Sequence, residues 1–166
     1  MPSRHHCLLA ILVATLLTGL VTGCRKSPPA PAGDTTAPSK HEHTAPHGGT
    51  PVVLGSEAYH LELVRNGGAG KLQAYVMDGE LENFVRCNAP ALEVEALVNG
   101  QPTRLVLGAV ANSATGESVG DTALFEGQAE WLKTLTQFDA TLKSITVRGT
   151  TFAEVKFNFP RGNDHD

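Results

Sequence analysis

The side chains in this sequence best suited to coordination chemistry are His47, His60 and Glu62, with a looser pair at His41 and His43. Tyr59-His60-Leu61-Glu62-Leu63 alternates as a half-buried strand does, which puts His60 and Glu62 on one side of it, about 6.6 Å of rise apart. Two groups of ligand type on one side make half a metal site. His47 is placed to be a third: it lies four residues before Pro51, which is expected to face Glu62, and Gly48-Gly49 would let the backbone fold that imidazole back over the sheet. Imidazole and carboxylate together suit Zn²⁺ or Cu²⁺. The competing reading is plain: polar residues alternate on the wet face of any antiparallel sheet. His41 and His43 flank Glu42 in a proline-containing stretch, where imidazoles collect such ions weakly because the site must be ordered on binding.

Other stretches invite a catalytic reading and fail on physical grounds, so no enzyme is expected. Gly116-Glu117-Ser118-Val119-Gly120 matches the G-x-S-x-G nucleophile elbow, which needs a buried strand before it, a helix after it and a later histidine as base. The only later histidine is His165 in the charged tail, and residues 112–122 are rich in Gly and Ser and read as a loop. Gly67-Gly68-Ala69-Gly70-Lys71 has the look of a phosphate loop, yet Leu72 stands where Ser or Thr would bind Mg²⁺. Cys87 lies near no evident base and reads as a small core or rim residue.

Positioning any such groups falls to short strands. Pairing Leu63 with Leu72, Leu61 with Ala74 and Tyr59 with Val76 puts the apolar partners on one side and sets Glu62 against Gln73 and His60 against Tyr75. Pro51-Val52-Val53-Leu54 precedes, with Leu54 facing Tyr59 and Val52 facing Leu61. A second hairpin pairs Leu92, Val94, Ala96 and Val98 with Ala109, Leu107, Leu105 and Thr103 across Asn99-Gly100-Gln101-Pro102. A third sets Ile145 and Val147 against Val155 and Ala153 across Gly149-Thr150-Thr151, with Phe157 and Phe159 continuing that face. Leu124, Gln128, Trp131, Leu132 and Leu135 recur at helical spacing, which predicts a short helix over residues 123–135. Seven or more strands with tight turns and one short helix point to an all-β protein, an immunoglobulin-like antiparallel β-sandwich, with an open barrel as the alternative.

Ahead of residue 50 the character changes. Residues 25–49 hold prolines, small residues and no large apolar side chain, so they cannot bury enough surface to offset ordering entropy and read as a flexible linker. Earlier still, Arg4 and the apolar run from Leu8 to Leu20 have the form of a signal sequence, too short to span a membrane. Val21-Thr22-Gly23-Cys24 then resembles the lipobox of bacterial lipoproteins. That resemblance implies cleavage before Cys24, acyl chains such as palmitate on it, and a lipid-anchored protein on the periplasmic side of the cell envelope. Arg25 in place of the aspartate that retains many such proteins favours the outer membrane. The expected organisation is signal peptide 1–23, lipidated Cys24 and linker 24–49, β domain 50–160 and charged tail 161–166.

Loss of Arg4 with the signal peptide takes the 13 basic residues to 12 against 17 acidic ones, a net charge of −5. A mildly acidic chain with no basic stripe is a poor partner for a phosphate backbone, so nucleic acid is not expected. Of the three cysteines only Cys87 would remain unmodified, leaving no pair for a disulfide.

One further likeness falls on the candidate ligands. His47-Gly48-Gly49, then Tyr59-His60-Leu61-Glu62-Leu63-Val64, then Leu72-Gln73-Ala74-Tyr75-Val76-Met77-Asp78 is similar to a group of bacterial envelope proteins of uncharacterised activity. These open on His-Gly-Gly, continue with Tyr-His-x-Glu-Leu-Val, and some accompany heavy-metal efflux systems. The similarity runs from about residue 47 to 160 and implies metal handling, with Asp78 a further ligand. Gly79-Glu80 departs from the Asp-His pair of some relatives, which weakens a high-affinity site here. Two functions follow as expectations: a periplasmic accessory that binds divalent transition metal ions in support of efflux, or a non-catalytic adaptor module of the envelope.

Overall fold

Short runs of Val, Leu and Tyr at alternate positions, cut by glycine turns, build the first three strands: β1 (Thr50–Leu54), β2 (Tyr59–Asn66) and β3 (Lys71–Asp78). The computed structural model describes residues 44–164; the expected signal sequence, Cys24 and most of the expected linker with His41 and His43, as well as His165, lie outside the described residues. Five more strands follow, β4 (Ala91–Val98), β5 (Gln101–Ala109), β6 (Leu124–Gln128), β7 (Phe138–Val147) and β8 (Thr150–Phe159), with one helical turn, α1 (Trp131–Thr134). The strands form a single antiparallel sheet in the order β1-β2-β3-β6-β5-β4-β7-β8. The all-β expectation therefore holds. No helix among the described residues is long and apolar enough to cross a membrane.

Registers differ from the sequence expectation in one systematic way: the turns are shorter. β4 and β5 are joined by Asn99 and Gly100 alone, at φ +51° and +79°, so Leu92 meets Leu107 and Val94 meets Leu105. That is the two-residue turn whose twist suits a hairpin, and Asn-Gly is its preferred sequence. Between β2 and β3 the loop is four residues, so Leu61 faces Val76, Leu63 faces Ala74, Glu62 faces Tyr75 and His60 faces Met77. Both shifts are by two, which preserves the face each side chain occupies. The β1–β2 register, Leu54 to Tyr59 and Val52 to Leu61, is the expected one.

At β7–β8 the shift is by three. The turn is Arg148-Gly149, at φ +47° and +85°, and Ile145 faces Phe152 rather than Val155. An odd shift exchanges faces: Ala153 is exposed, and Phe152 takes the inward role, edge-on to Tyr59 with ring centroids 6.1 Å apart. The inward sequence Phe138, Ala140, Leu142 resumes one place late at Ile145 and Val147. Glu154, at φ +51°, sits across from that slip and pairs with Lys143 at 3.0 Å.

The expected helix over residues 123–135 is a strand followed by a single turn. Residues 124–128 alternate in burial, Phe125 is fully buried, and β6 runs between β3 and β5. Gly127 explains the outcome: a Cβ there would lie 2.5 Å from the Val106 carbonyl oxygen and 2.8 Å from Leu107 Cδ2. Only a bare backbone passes that close to a neighbouring strand. The helical periodicity survives in α1, where Leu132 is buried and Arg65 Nε donates to the Leu132 carbonyl at 2.7 Å. An arginine on the last carbonyls of a helical turn satisfies acceptors that have no partner within it.

The core draws on every strand, with Leu54, Leu63, Leu72, Leu92, Leu107, Phe125, Leu142 and Ile145 all under 3 % exposed. The outer strands β1 and β8 approach each other through the segment after β8. Thr50 Oγ1 donates to the Pro160 carbonyl, and the Asn163 side chain brackets Val53, accepting from its N–H at 2.7 Å and donating to its carbonyl at 3.1 Å.

Candidate functional site

On the outer face of β2, Glu62 is fully buried. A side chain on the solvent side of a sheet becomes buried only when something covers it, and the cover is the stretch that precedes β1. Gly48 N donates to the Ala45 carbonyl, closing a turn through Pro46 and His47, and Gly48 itself is at φ +65°. Gly49 then lies so close to β2 that a Cβ would meet the Leu63 carbonyl oxygen at 2.7 Å and Glu62 Cγ at 2.8 Å. Two glycines in succession are therefore a steric requirement: the first for its conformation, the second for its contact.

That approach aims three donors at one carboxylate. His47 N and Gly49 N both donate to Glu62 Oε1, at 2.7 and 2.9 Å, and His47 Nδ1 lies 2.7 Å from Oε2. The imidazole stacks on Tyr75 with centroids 4.0 Å apart and planes at 14°. Phe84 leans on both rings, 5.8 Å from His47 and 6.0 Å from Tyr75, and is itself 54 % exposed. Burial first, then the Glu62 and Glu126 carboxylates, push the Tyr75 phenol above its ordinary value against the opposing charge of Lys71. It is a neutral hydrogen-bonding group at physiological pH.

The other expected ligands do not join this pair. His60 is buried at 3 % exposure opposite Met77, its Nδ1 3.3 Å from the Asp78 carbonyl oxygen. The Asp78 carboxylate organises the loop that follows β3: Oδ1 accepts from the Glu82 and Asn83 amides at 3.0 and 3.2 Å, and Oδ2 from Asn83 Nδ2 at 2.7 Å. No group of three His, Cys, Asp or Glu side chains among the described residues converges as a metal site. His41 and His43 lie outside the described residues. Phe84 was not legible as part of this cluster, because it comes in by the isolated bridge between Met77 and Phe84, which no local pattern announces.

Burial alone would raise the Asp78 carboxyl, but the Asn83 side chain and backbone and the Glu82 and Glu80 amides outweigh it and hold it below the ordinary carboxylate value. A carboxyl lowered by folding stabilises the loop above its unfolded value and ceases to do so as pH falls through the folded one. Protection of the Glu82 and Asn83 amides, relative to the free-peptide exchange rate at each pH, should therefore fall on acidification below about pH 4, the ordinary range of an aspartate. In Asp78→Asn it should be low throughout. Equal protection in the two proteins at neutral pH would contradict this assignment.

The motifs that suggested catalysis resolve into turns. Ser118 exchanges backbone hydrogen bonds with Asp121 and is followed by a strand rather than a helix. Lys71 of the glycine-rich turn is paired with Glu126. Cys87 is buried, and burial raises its thiol to about 11, so little thiolate forms near neutrality. No protein-family model, no curated protein and no solved structure matches this chain.

What the site can do chemically follows from these distances. A carboxylate against one imidazole nitrogen fixes the ring's orientation and leaves the other nitrogen to face outward contacts. The side chain of His47 is 35 % exposed. The result is a rigid shelf of three rings, one of them a clamped imidazole.

Proposed function

We propose that this protein is a lipid-anchored accessory of the bacterial cell envelope, moored through Cys24 on the periplasmic side with the outer membrane favoured, and that it acts by holding a partner rather than by turning over a substrate. The adaptor reading rests on one observation: three donors on Glu62 fix the His47–Tyr75–Phe84 shelf, whose outermost ring, Phe84, is more than half exposed. Rigid aromatic side chains lose little entropy on contact and serve as anchors at interfaces. The immunoglobulin-like sandwich remains our reading of how the sheet closes over its core. Acylation at Cys24 is tested by mass spectrometry of the membrane-extracted protein. A photo-crosslinking residue at position 84 should then capture one envelope protein reproducibly, while the same probe at the exposed Val106 captures none. Equal or absent capture from both positions would remove the adaptor reading.

A second reading has its own support. The Glu62 Oε2 to His47 Nδ1 contact of 2.7 Å is the arrangement in which a carboxylate orients an imidazole for a metal at its other nitrogen. His41 and His43, a few residues earlier, would supply further ligands for Zn²⁺ or Cu²⁺ and make the protein an accessory to metal efflux. Titration calorimetry of the intact protein separates the two readings. The metal reading requires stoichiometric binding that is lost in both His47→Ala and the His41→Ala/His43→Ala double variant and kept in His60→Ala. The adaptor reading expects no such site.

A further inference from the structure

Away from the His47 cluster, β4, β7 and β8 carry an open groove of about 600 Å³, ample for a small ligand. Its floor is a cross-strand row: Glu95 of β4 faces Thr141 of β7, which faces Lys156 of β8. Partners directly across a ladder point to the same side, so a carboxylate and an ammonium stand on one face with a small residue between them. Two inter-strand spacings separate their backbones, about 10 Å. Among the described residues neither Lys156 nor the terminal guanidinium nitrogens of Arg161 makes a hydrogen bond or ion pair; Arg161 spends only its Nε, on Asn158 Oδ1 at 3.0 Å. Asn158, 7 % exposed, passes its amide to Asp139 Oδ1 at 2.6 Å. One part of the groove is thus cationic, through Lys156 and Arg161, and the β4 side is anionic, through Glu95; Asp139 is tied to the cationic side through Asn158. Leu97, 46 % exposed, and Pro102 add an apolar wall.

We propose that this groove binds a short peptide with free ends, its carboxylate on Lys156 and Arg161, its ammonium on Glu95, and an apolar side chain against Leu97 and Pro102. The balanced charge argues against a simple anion site, which would not retain two carboxylates in the lining. The spacing argues against a single amino acid. An extended chain advances about 3.3–3.6 Å per residue, so roughly three residues span the two charged ends. The proposal is independent of the His47 shelf and of the lipid anchor.

The probe is the tripeptide Ala-Leu-Ala, titrated into the purified intact protein and followed by calorimetry. Saturable binding is expected, weakened about tenfold by amidating the C-terminus and by a similar factor on acetylating the N-terminus, the scale of one charge-assisted contact. Lys156→Ala, a change at an exposed side chain, should shrink the difference between free-acid and amide peptides while leaving the acetylation effect. Glu95→Gln should do the reverse. Absence of saturable binding at millimolar peptide overturns the proposal, as does equal binding of capped and free peptides. Binding of leucine as tight as that of the tripeptide, or displacement of the peptide by inorganic phosphate alone, overturns the assigned spacing and charge pattern respectively.

Discussion

Glu62→Ala should cost about 3–5 kcal/mol of folding stability, measured by urea denaturation, from the loss of one fully buried carboxylate. The figure follows from counting donors. His47 N, Gly49 N and the His47 ring all lose their acceptor at once. A buried donor left without a partner costs about 1–3 kcal/mol. Removing a buried charge can be neutral or stabilising when its partners are removed with it. Here that escape is closed, because two of the three partners are backbone amides, which stay in place when the Glu62 side chain is changed. Glu62→Leu should therefore be nearly as damaging as Glu62→Ala, whereas Glu62→Gln, which keeps a carbonyl oxygen for the amides, should cost about 1–2 kcal/mol. His47→Ala removes one donor and the ring stacked on Tyr75, and its effect should be largely absorbed in the His47→Ala/Glu62→Ala double variant, since both act on one shared contact. A cost under about 1 kcal/mol for Glu62→Ala would show that water reaches these amides and that the clasp is dispensable.

The same residue marks how far the sequence could be read. His47 folding back over β2 through Gly48-Gly49 was legible only as one of two arrangements, the plainer being a wet sheet face that leaves His60 and Glu62 solvated. Its consequence was not: the face read as wet is dry, because burial of Glu62 is conferred by residues outside the strand. His60 shows the same limit, being buried on that face opposite Met77. Face assignments survived at β2–β3 and β4–β5 because the register errors were even, and failed at β7–β8, where Phe152 rather than Val155 faces Ile145. The cause was turn length. Asn99-Gly100 is an explicit two-residue signal, but Arg148-Gly149 puts an arginine at positive φ, a choice no local preference predicts. At β6 the helical spacing of Leu124, Gln128 and Leu132 competed with Gly127, and the glycine was the truer sign, since its role is a tertiary contact with Val106.

Asn163→Ala should lower stability by about 2 kcal/mol, for a reason that also concerns how the edge of the sheet is closed to other chains. A strand at the end of a sheet offers unpaired backbone groups to any other chain. In β1 the groups directed away from β2 belong to Val53 and, two residues earlier, to Pro51, because alternate residues of a strand bond to the same side. The Val53 N–H and carbonyl are both taken by Asn163, whose side-chain amide stands in for a strand partner. Pro51 has no N–H to offer, and Gly162 presses on its carbonyl so closely that a Cβ there would overlap it. Two separate devices thus blunt the same edge. Asn163→Ala alone should remain monomeric in sedimentation, because Pro51 still interrupts any incoming ladder. Asn163→Asp, which keeps the acceptor for Val53 N–H and loses the donor, should recover about half of the lost stability. Only the Pro51→Val/Asn163→Ala double variant restores two consecutive outward amides, and it should associate as its concentration rises. Association by Asn163→Ala itself would mean that the proline contributes nothing to the edge; a monomeric double variant would mean that the segment after β8 covers β1 without needing the asparagine.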